Sequence, residues 1–268
     1  MRDVVLTGGA AITARGDLQL SKPADEARPA EGGFAGGDFG GGAIEGFALG
    51  KYLESSKTYL DRCSALALAG CAQALKSAAQ SWPVEDGDAF GIALGTHDGC
   101  LETMRAFWDS VAERGVEKAN SILFSHSYLN SPVSLCAIEF GLRGHHGTYS
   151  TDSKSGLDAV QLAFDAIRLG HAQAMLCGGV EALTPARAAC EPAGNLSEAA
   201  CFFVLEAKER AQARGAQALA ELSDDWFEQA EIEGAARRFG DCGGANGSLA
   251  LLLGLPQAAK YLQAPVEN

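Results

Sequence analysis

The stretch that decides the fold is Gly147-Thr148-Tyr149-Ser150-Thr151-Asp152-Ser153-Lys154-Ser155-Gly156-Leu157-Asp158-Ala159. Residues 148–151 form a short β-rich run, and a polar turn follows at Asp152 and Ser153. Beyond the turn, apolar residues recur at helical spacing, at Val160, Leu162, Ala163, Ala166 and Ile167. The pattern predicts a strand that passes directly into a helix. Ser153 would then lie among the free N–H groups at the positive end of the helix dipole, a favourable place for a nucleophile that forms an oxyanion.

Segments on both sides of this stretch alternate between strand and helix patterns. Strands are predicted at residues 4–9, 89–95, 174–183, 197–206 and 219–222, and long helices at 59–79 and 101–114. Alternation of this kind predicts an α/β fold, with a mostly parallel sheet covered by helices on both faces.

The central motif also resembles a known active site. Ser150-Thr151-x-x-x-Ser155-Gly156-Leu157-Asp158-Ala159 is similar to the active-site segment of β-ketoacyl synthases, which have the thiolase fold. In that family the nucleophilic cysteine lies in a Ser-Thr-Ala-Cys-Ala/Ser-Ser-Gly string. Here Ser153 stands in the cysteine position, and Asp152 and Lys154 replace the small residues around it. The resemblance implies that the motif residues around the active site are kept, whereas the nucleophile and its immediate neighbours are changed.

Further motifs extend the resemblance along the first half of the chain. Residues 121–144 contain Asn130-Ser131-Pro132 and Ile138-Glu139-Phe140-Gly141-Leu142-Arg143-Gly144, which are similar to the family's Asn-x-Pro and Ala-Ile-x-x-Gly-Leu-x-Gly strings. Residues 174–183 and 197–216 also match family segments. The resemblance predicts a complete N-terminal ketosynthase half, with a mixed sheet sandwiched by helices.

The match breaks after Leu222. The family's second half carries histidines in His-Gly-Thr and Gly-His-Thr strings, and this sequence has no histidine beyond Leu222. One late motif, residues 243–251, resembles the family's closing hairpin, and Cys242 stands where the family has the phenylalanine that gates the acyl pocket. We therefore expect one thiolase-like domain over residues 1–268, in which the C-terminal half is mostly missing and residues 223–268 are its remnant.

Residues 17–50 are polar and then rich in glycine. They follow no strand that would open a phosphate-binding helix, and they lack the lysine of a P-loop. This composition is typical of a flexible surface insertion, which is the prediction for this segment.

Two interpretations of Ser153 remain open. It can act as the nucleophile of an acyltransferase or thioesterase that recruits a base from His126, His145 or His146, or it can be a vestige in a filled pocket. The residues expected around this pocket are Asp152, Lys154, Ser155, Cys242, Gly243 and Gly244. Asp152 can cap the following helix, and Lys154 is expected to pair with Asp152, Asp158 or a carboxylate of a partner, which would plug the acyl site.

Composition limits the classes of partner. The net charge is −13 and the pI about 4.8, which argues against nucleic acid or an anionic membrane as a partner. The eight cysteines are dispersed without CxxC spacing, so they predict reduced thiols rather than disulfides or a metal site, and no cofactor motif is found. No signal peptide or membrane-spanning run is recognised, and a cytoplasmic location is expected.

Half of a thiolase-like fold would leave apolar surface exposed, which predicts a dimer. The resemblance implies a heterodimer with a complete ketosynthase, and a homodimer is the alternative. The predicted function is that of a non-catalytic subunit of the chain-length-factor type, which works with acyl carrier protein in polyketide or fatty-acid-like synthesis. Aryl polyene and related type II polyketide systems contain short subunits of this layout. Two alternatives stay open: a serine-dependent acyltransferase or thioesterase that acts on acyl-carrier-protein thioesters, and a plain scaffold.

Overall fold

The computed structural model describes residues 1–20, 40–191 and 194–255. Within these residues seven strands form a single sheet. The strands are β1 (Val4–Thr13), β2 (Gly16–Gln19), β3 (Phe90–Gly95), β4 (His146–Tyr149), β5 (Ala174–Glu181), β6 (Ala199–Ala207) and β7 (Ala220–Glu221). The α-helices are α1 (Arg62–Ser77), α2 (Leu101–Arg114), α3 (Ser121–His126), α4 (Ser131–Phe140), α5 (Ser155–Arg168), α6 (Pro185–Cys190), α7 (Lys208–Ala213), α8 (Asp224–Glu228), α9 (Ile232–Phe239) and α10 (Asn246–Leu253).

The strand order is β2-β1-β6-β5-β3-β4. The short strand β7 also pairs with β1 and is not part of this linear order. β3 pairs in parallel with β4 and with β5, whereas β6 is antiparallel to both β5 and β1. The prediction of a mixed sheet is confirmed, but the expectation that it would be mostly parallel is wrong. β6 returns beside β5 in the opposite direction, and β1 forms a hairpin with β2 that the sequence pattern did not reveal.

Side chains alternate between the two faces of the sheet, as the two-residue period of a strand requires. On β6, Phe202 and Val204 point to the face covered by α1 and α4, and Phe203 and Leu205 to the face covered by α5, α8, α9 and α10. All nine residues of β6 are buried. The predicted sandwich of a sheet between helices is therefore confirmed.

The segment predicted to resemble a closing hairpin has a different structure. Residues Gly243–Ala245 form a short 3-10 helix, and Asn246–Leu253 continue as α10. This helix is buried on nearly every side because it packs between α5, α9 and the sheet. Leucine and alanine are strong helix formers, and a helix that is apolar all round is stable in such a place.

The predicted glycine-rich insertion lies mostly outside the described residues. At its described ends, residues 16–19 belong to β2, and Gly42 forms an isolated bridge with Ser197. Among the residues that the structure describes, no helix is long and apolar enough to span a bilayer.

Candidate functional site

The predicted strand-to-helix turn is present between β4 and α5. Asp152 has a positive φ of 61°, a conformation that is uncommon for a residue other than glycine. The Ser155 hydroxyl holds the turn, since it accepts the N–H of Thr151 at 2.9 Å and donates to the carbonyl of Asp152 at 2.6 Å. α5 therefore begins at the buried Ser155. The expected cap of this helix by the Asp152 side chain is not formed.

Ser153 is half-buried at this turn. Its backbone carbonyl accepts the N–H of Gly247 at 3.0 Å, which joins the turn to the start of α10. Within the described residues its hydroxyl forms no hydrogen bond. Lys154 is exposed and forms no ion pair with Asp152 or Asp158 there, while Asp158 accepts a hydrogen bond from Thr151 at 2.5 Å. The salt bridge that was expected to plug the acyl site is therefore not formed between Lys154 and either of these aspartates.

The segment from Cys242 to Gly247 contacts the beginning of α5 through Gly244 and Gly247. A Cβ atom built on Gly156 would be 2.8 Å from the Gly244 carbonyl oxygen, and one built on Gly179 would be 2.6 Å from the same atom. These distances are shorter than any real contact of a Cβ atom. Glycine at both positions therefore permits the close approach, and no methyl group would fit between the loop and the helix.

Cys242 is fully buried in this loop. Its N–H donates to Oδ1 of Asn246 at 3.1 Å, and Nδ2 of Asn246 donates to Oδ1 of Asp241 at 2.9 Å. Burial raises the pKa of the Cys242 thiol to about 12. The residue in the gating position is therefore an unreactive thiol.

Glu181, at the end of β5, holds the loop and the turn after β3 together. Its carboxylate accepts the backbone N–H groups of His97 at 2.6 Å, Asp98 at 3.2 Å and Gly244 at 2.9 Å. The side chain is fully buried, and this burial raises its pKa. Sequence reasoning missed this residue as part of the site, although a glutamate that ends an otherwise apolar strand was a usable signal.

Arg187 of α6 is a further buried charge beside this loop and is only 1% exposed. It donates to the carbonyls of Ser197 at 2.8 Å and Asp241 at 3.2 Å, and its Nε atom lies 3.3 Å from Oδ2 of Asp98. The guanidinium thereby fixes the loop that precedes Cys242. A buried arginine in this network has a structural role.

His97 is the histidine that the structure brings to the turn, and it was not among the predicted bases. Its Nδ1 atom lies 3.8 Å from Oδ1 of Asp152, and its Nε2 atom 3.9 Å from Oδ1 of Asp98. The ring is 41% exposed and the Asp152 side chain 82% exposed. The parallel pairing of β3 with β4 causes this proximity, because Gly95 pairs with Tyr149 and both strands end side by side.

The three predicted bases lie elsewhere. His146 pairs with Ile92 at the start of β4, about 10 Å of extended strand before Tyr149, and His145 precedes it. His126 ends α3, where its ring packs edge-on against Tyr59 with 5.2 Å between centroids. The structure therefore brings Ser155 and Gly244 to the turn at Ser153, places Cys242 and Gly243 in the loop that leads to Gly244, and does not place His145 or His146 beside Ser153. Within the described ranges no cluster of three or more His, Cys, Asp or Glu side chains could hold a metal ion.

Comparisons with known proteins agree with this architecture. The family model described as "Beta-ketoacyl synthase, N-terminal domain" matches residues 48–216. Nodulation protein E of Rhizobium leguminosarum bv. trifolii is 30% identical over 185 residues, which cover 61% of this chain and 46% of that protein. The chain spans about half the length of the curated relatives it matches.

Two solved structures share the fold. A chain of the AntDE:AntF complex, described as a type II PKS acyl-carrier protein in complex with its ketosynthase bound to the hexaketide, has a TM-score of 0.76 at 18% identity, covering 99% of this chain and 94% of that chain. The ishigamide ketosynthase/chain length factor has a TM-score of 0.65 at 20% identity, covering 98% and 79%. Since the family model matches well over half of the sequence, the chain belongs to the β-ketoacyl synthase family and has its thiolase-like fold.

Proposed function

We propose that this chain is a ketosynthase-like subunit of the chain-length-factor type. It performs no condensation itself and pairs with a complete ketosynthase that elongates acyl chains on an acyl carrier protein. The observation that carries the proposal is the close packing of the Gly244 carbonyl against Gly156 and Gly179, directly behind a serine in the nucleophile position.

The chemistry of the turn supports this proposal. Condensation needs a thiolate to hold the acyl group and donors that stabilise the enolate left when carbon dioxide departs. Ser153 supplies a hydroxyl, which is a weak nucleophile without a base. Both nitrogens of His97, the histidine beside this turn, lie 3.8–3.9 Å from carboxylate oxygens, and within the described residues no hydrogen bond joins this ring to Ser153.

The structural neighbours also support a role as the partner of a ketosynthase. One structural neighbour is described as a ketosynthase/chain length factor, and another as a type II PKS acyl-carrier protein with its ketosynthase. A subunit that lacks the nucleophilic thiol would act in such an assembly by completing the ketosynthase and shaping the space for the growing chain.

The test is to co-express the tagged chain with each complete ketosynthase of its own genome and to incubate the purified complex with acyl- and malonyl-loaded carrier protein. We expect a stable complex, an acyl mass gain on the ketosynthase alone, and a product length that depends on this chain. The Ser153→Ala variant should behave like the wild type. An acyl adduct on this chain that disappears in Ser153→Ala would contradict the proposal, and an unchanged product length would reduce the chain to a scaffold.

A second candidate function is serine-dependent acyl transfer or thioester hydrolysis. The observation that favours it is the position of His97, whose Nδ1 atom lies 3.8 Å from Asp152, the residue before Ser153. In this reaction the Ser153 oxygen would attack the thioester carbonyl, the C–S bond would break, and the serine proton would pass through His97 to the departing sulfur. The mass measurement above separates this candidate from the first.

A further inference from the structure

A cavity of about 720 Å³, here called the β1–β2 cavity, opens beside the end of β1. Its walls come from the hairpin of β1 and β2, from residues 41–45, and from Lys51 and Tyr52. Small-molecule sites in proteins typically have volumes of about 300–1,000 Å³. The cavity therefore has the size of a site for a small organic ligand.

The cavity lies at the edge of the sheet where most of the strands end. Thr13, the last residue of β1, pairs with Ala199, and Ala199 pairs on its other side with Glu181, the last residue of β5. β3 runs parallel to β5 and to β4, so these strands end at the same edge. Ligands of open sheets with parallel strands commonly bind outside the carboxyl ends of the strands.

Hydrogen bonds fix one wall of the cavity. The N–H of Ile44 donates to Oε1 of Glu198 at 2.6 Å, and the Gly42 carbonyl accepts the hydroxyl of Ser197 at 3.0 Å. Glu198 is fully buried, and its Oε2 atom accepts Nε of Arg62 at 2.8 Å. Fixed walls reduce the ordering cost that binding of a ligand would otherwise carry.

Asp17 of β2 lines the cavity with a half-buried carboxylate. Its Oδ2 atom accepts the phenol of Tyr52 at 2.9 Å, whereas its Oδ1 atom forms no hydrogen bond within the described residues. Burial raises the pKa of this carboxyl, and the phenol of Tyr52 and the charge of Lys51 offset only part of that effect. The ionised carboxylate therefore lacks partners that a bound cation would supply.

The other charged groups of the lining also favour a cation. Glu45 is exposed and forms no ion pair with any residue that the structure describes. The ammonium group of Lys51 donates to the carbonyl of Gly46 at 2.9 Å. Two carboxylates thus line the cavity with one lysine, in a chain whose net charge is −13. The field in the cavity attracts a positive group and repels an anion.

An organic cation suits this space better than a metal ion. Over residues 1–20, 40–191 and 194–255, no three His, Cys, Asp or Glu side chains come close enough together to hold a metal. The cavity is also far larger than a single ion. The carbon atoms of an organic ligand can lie along the side chain of Ile44 and the ring of Tyr52, which are the larger apolar groups of the lining.

We propose that the β1–β2 cavity binds a small organic cation through a primary ammonium group, which donates a hydrogen bond to Oδ1 of Asp17. An ammonium group carries three donors and no acceptor, so it suits a site whose free side-chain groups are carboxylates. This site is independent of the proposed function, because no residue of the turn at Ser153 lines the cavity.

The experiment compares three probes that share one alkyl chain and differ in the head group: hexylammonium, n-hexanol and hexanoate. Calorimetry measures their binding to the full chain at pH 7 and constant ionic strength. The variants are Asp17→Asn and Glu45→Lys, with Glu54→Lys as the matched control, since Glu54 is exposed like Glu45 and does not line the cavity. Circular dichroism verifies that each variant folds. Glu45→Lys keeps the test decisive if Asp17→Asn does not fold.

We expect hexylammonium to bind the wild type at least about tenfold more tightly than n-hexanol, and Asp17→Asn to weaken its binding at least about tenfold, because a hydrogen bond to a charged group is lost. Glu45→Lys should weaken the binding by about threefold or more, and Glu54→Lys should bind like the wild type. The inference is overturned if the wild type shows no saturable binding of hexylammonium, or if n-hexanol binds equally well.

It is also overturned if Asp17→Asn and Glu45→Lys bind hexylammonium like the wild type. Tighter binding of hexanoate than of hexylammonium would identify Lys51 as the recognition group and would overturn it as well. In each of these cases the proposed function stands, because it is tested separately by the mass of the acylated chains.

Discussion

The Nδ1 atom of His97 lies 3.8 Å from the Oδ1 atom of Asp152, across the turn that carries Ser153. Asp152 stands where the family has a small residue, and its positive φ turns the side chain outward to solvent. Asp98 faces the opposite ring nitrogen at 3.9 Å. The imidazole ring thus lies between two carboxylates, one on each side of the ring.

The first prediction concerns a thiol at the nucleophile position. In a Cys190→Ser background, Ser153→Cys should be alkylated rapidly by iodoacetamide, because a thiolate near the N-terminus of α5 is stabilised by the helix dipole. The other seven native cysteines are buried and should not react. Peptide mass mapping reports the modified residue. Labelling of Cys242 instead would show that the loop over α5 opens readily.

The second prediction tests whether His97 serves as a base. In the same thiol variant, replacement of His97 by asparagine should change the alkylation rate by no more than about twofold, since the imidazole is oriented toward Asp98 and Asp152. General base catalysis contributes about 100-fold or more. A loss of that size across neutral pH would identify His97 as the base and would favour the acyl-transfer candidate.

The third prediction concerns the contact between the loop and α5. Gly156→Ala should lower the free energy of unfolding by about 1–3 kcal/mol, because the new methyl group would lie 2.8 Å from the Gly244 carbonyl oxygen. Gly50→Ala is the matched control, since a Cβ atom there meets nothing within 4 Å. Urea unfolding monitored by tryptophan fluorescence measures both. Equal stability of the two variants would mean that the loop does not pack as described.

Much of the fold follows from local patterns. The period of α5 and the apolar runs of β3 and β5 are strong signals, because each buries a regular set of side chains on the sheet. The direction of β6 is not a local property. Its residues are buried on both faces and would suit either a parallel or an antiparallel neighbour, so the sequence pattern could not exclude the mostly parallel sheet.

Less of the candidate site than of the fold could be predicted from the sequence. Ser153 and Gly156 could be recognised from one continuous motif, whereas His97 reaches the turn through the pairing of β3 with β4, more than fifty residues away along the chain. The resemblance of residues 243–251 to a hairpin was misleading for a related reason. Their resemblance to a hairpin depended on a neighbouring sheet, and in this chain α5 and α9 surround the following residues and favour a helix.

The last prediction concerns acid stability and Glu206, a buried carboxylate on β6. Burial alone would raise its pKa, but hydrogen bonds from Arg214 and Thr7 and the charge of Arg210 outweigh it, so the net pKa is lowered. Thr7 donates at 2.6 Å and the Arg214 Nε atom at 2.9 Å. Because the folded pKa lies below that of the unfolded chain, near 4.3, the stabilisation is complete above the unfolded pKa and is lost as pH falls through the folded value.

Glu206→Gln should therefore lower the free energy of unfolding by about 2 kcal/mol at pH 7, where the carboxylate is ionised in both states. The difference between wild type and variant should shrink as the pH falls below about 4.3, because protonation removes the same charge from the wild type. Urea unfolding from pH 7 to pH 3 measures this difference. Glu228→Gln, at an exposed position of α8, is the control and should show almost no effect at any pH. A difference that stays constant down to pH 3 would mean that the amide disturbs packing and that the charge of Glu206 contributes little.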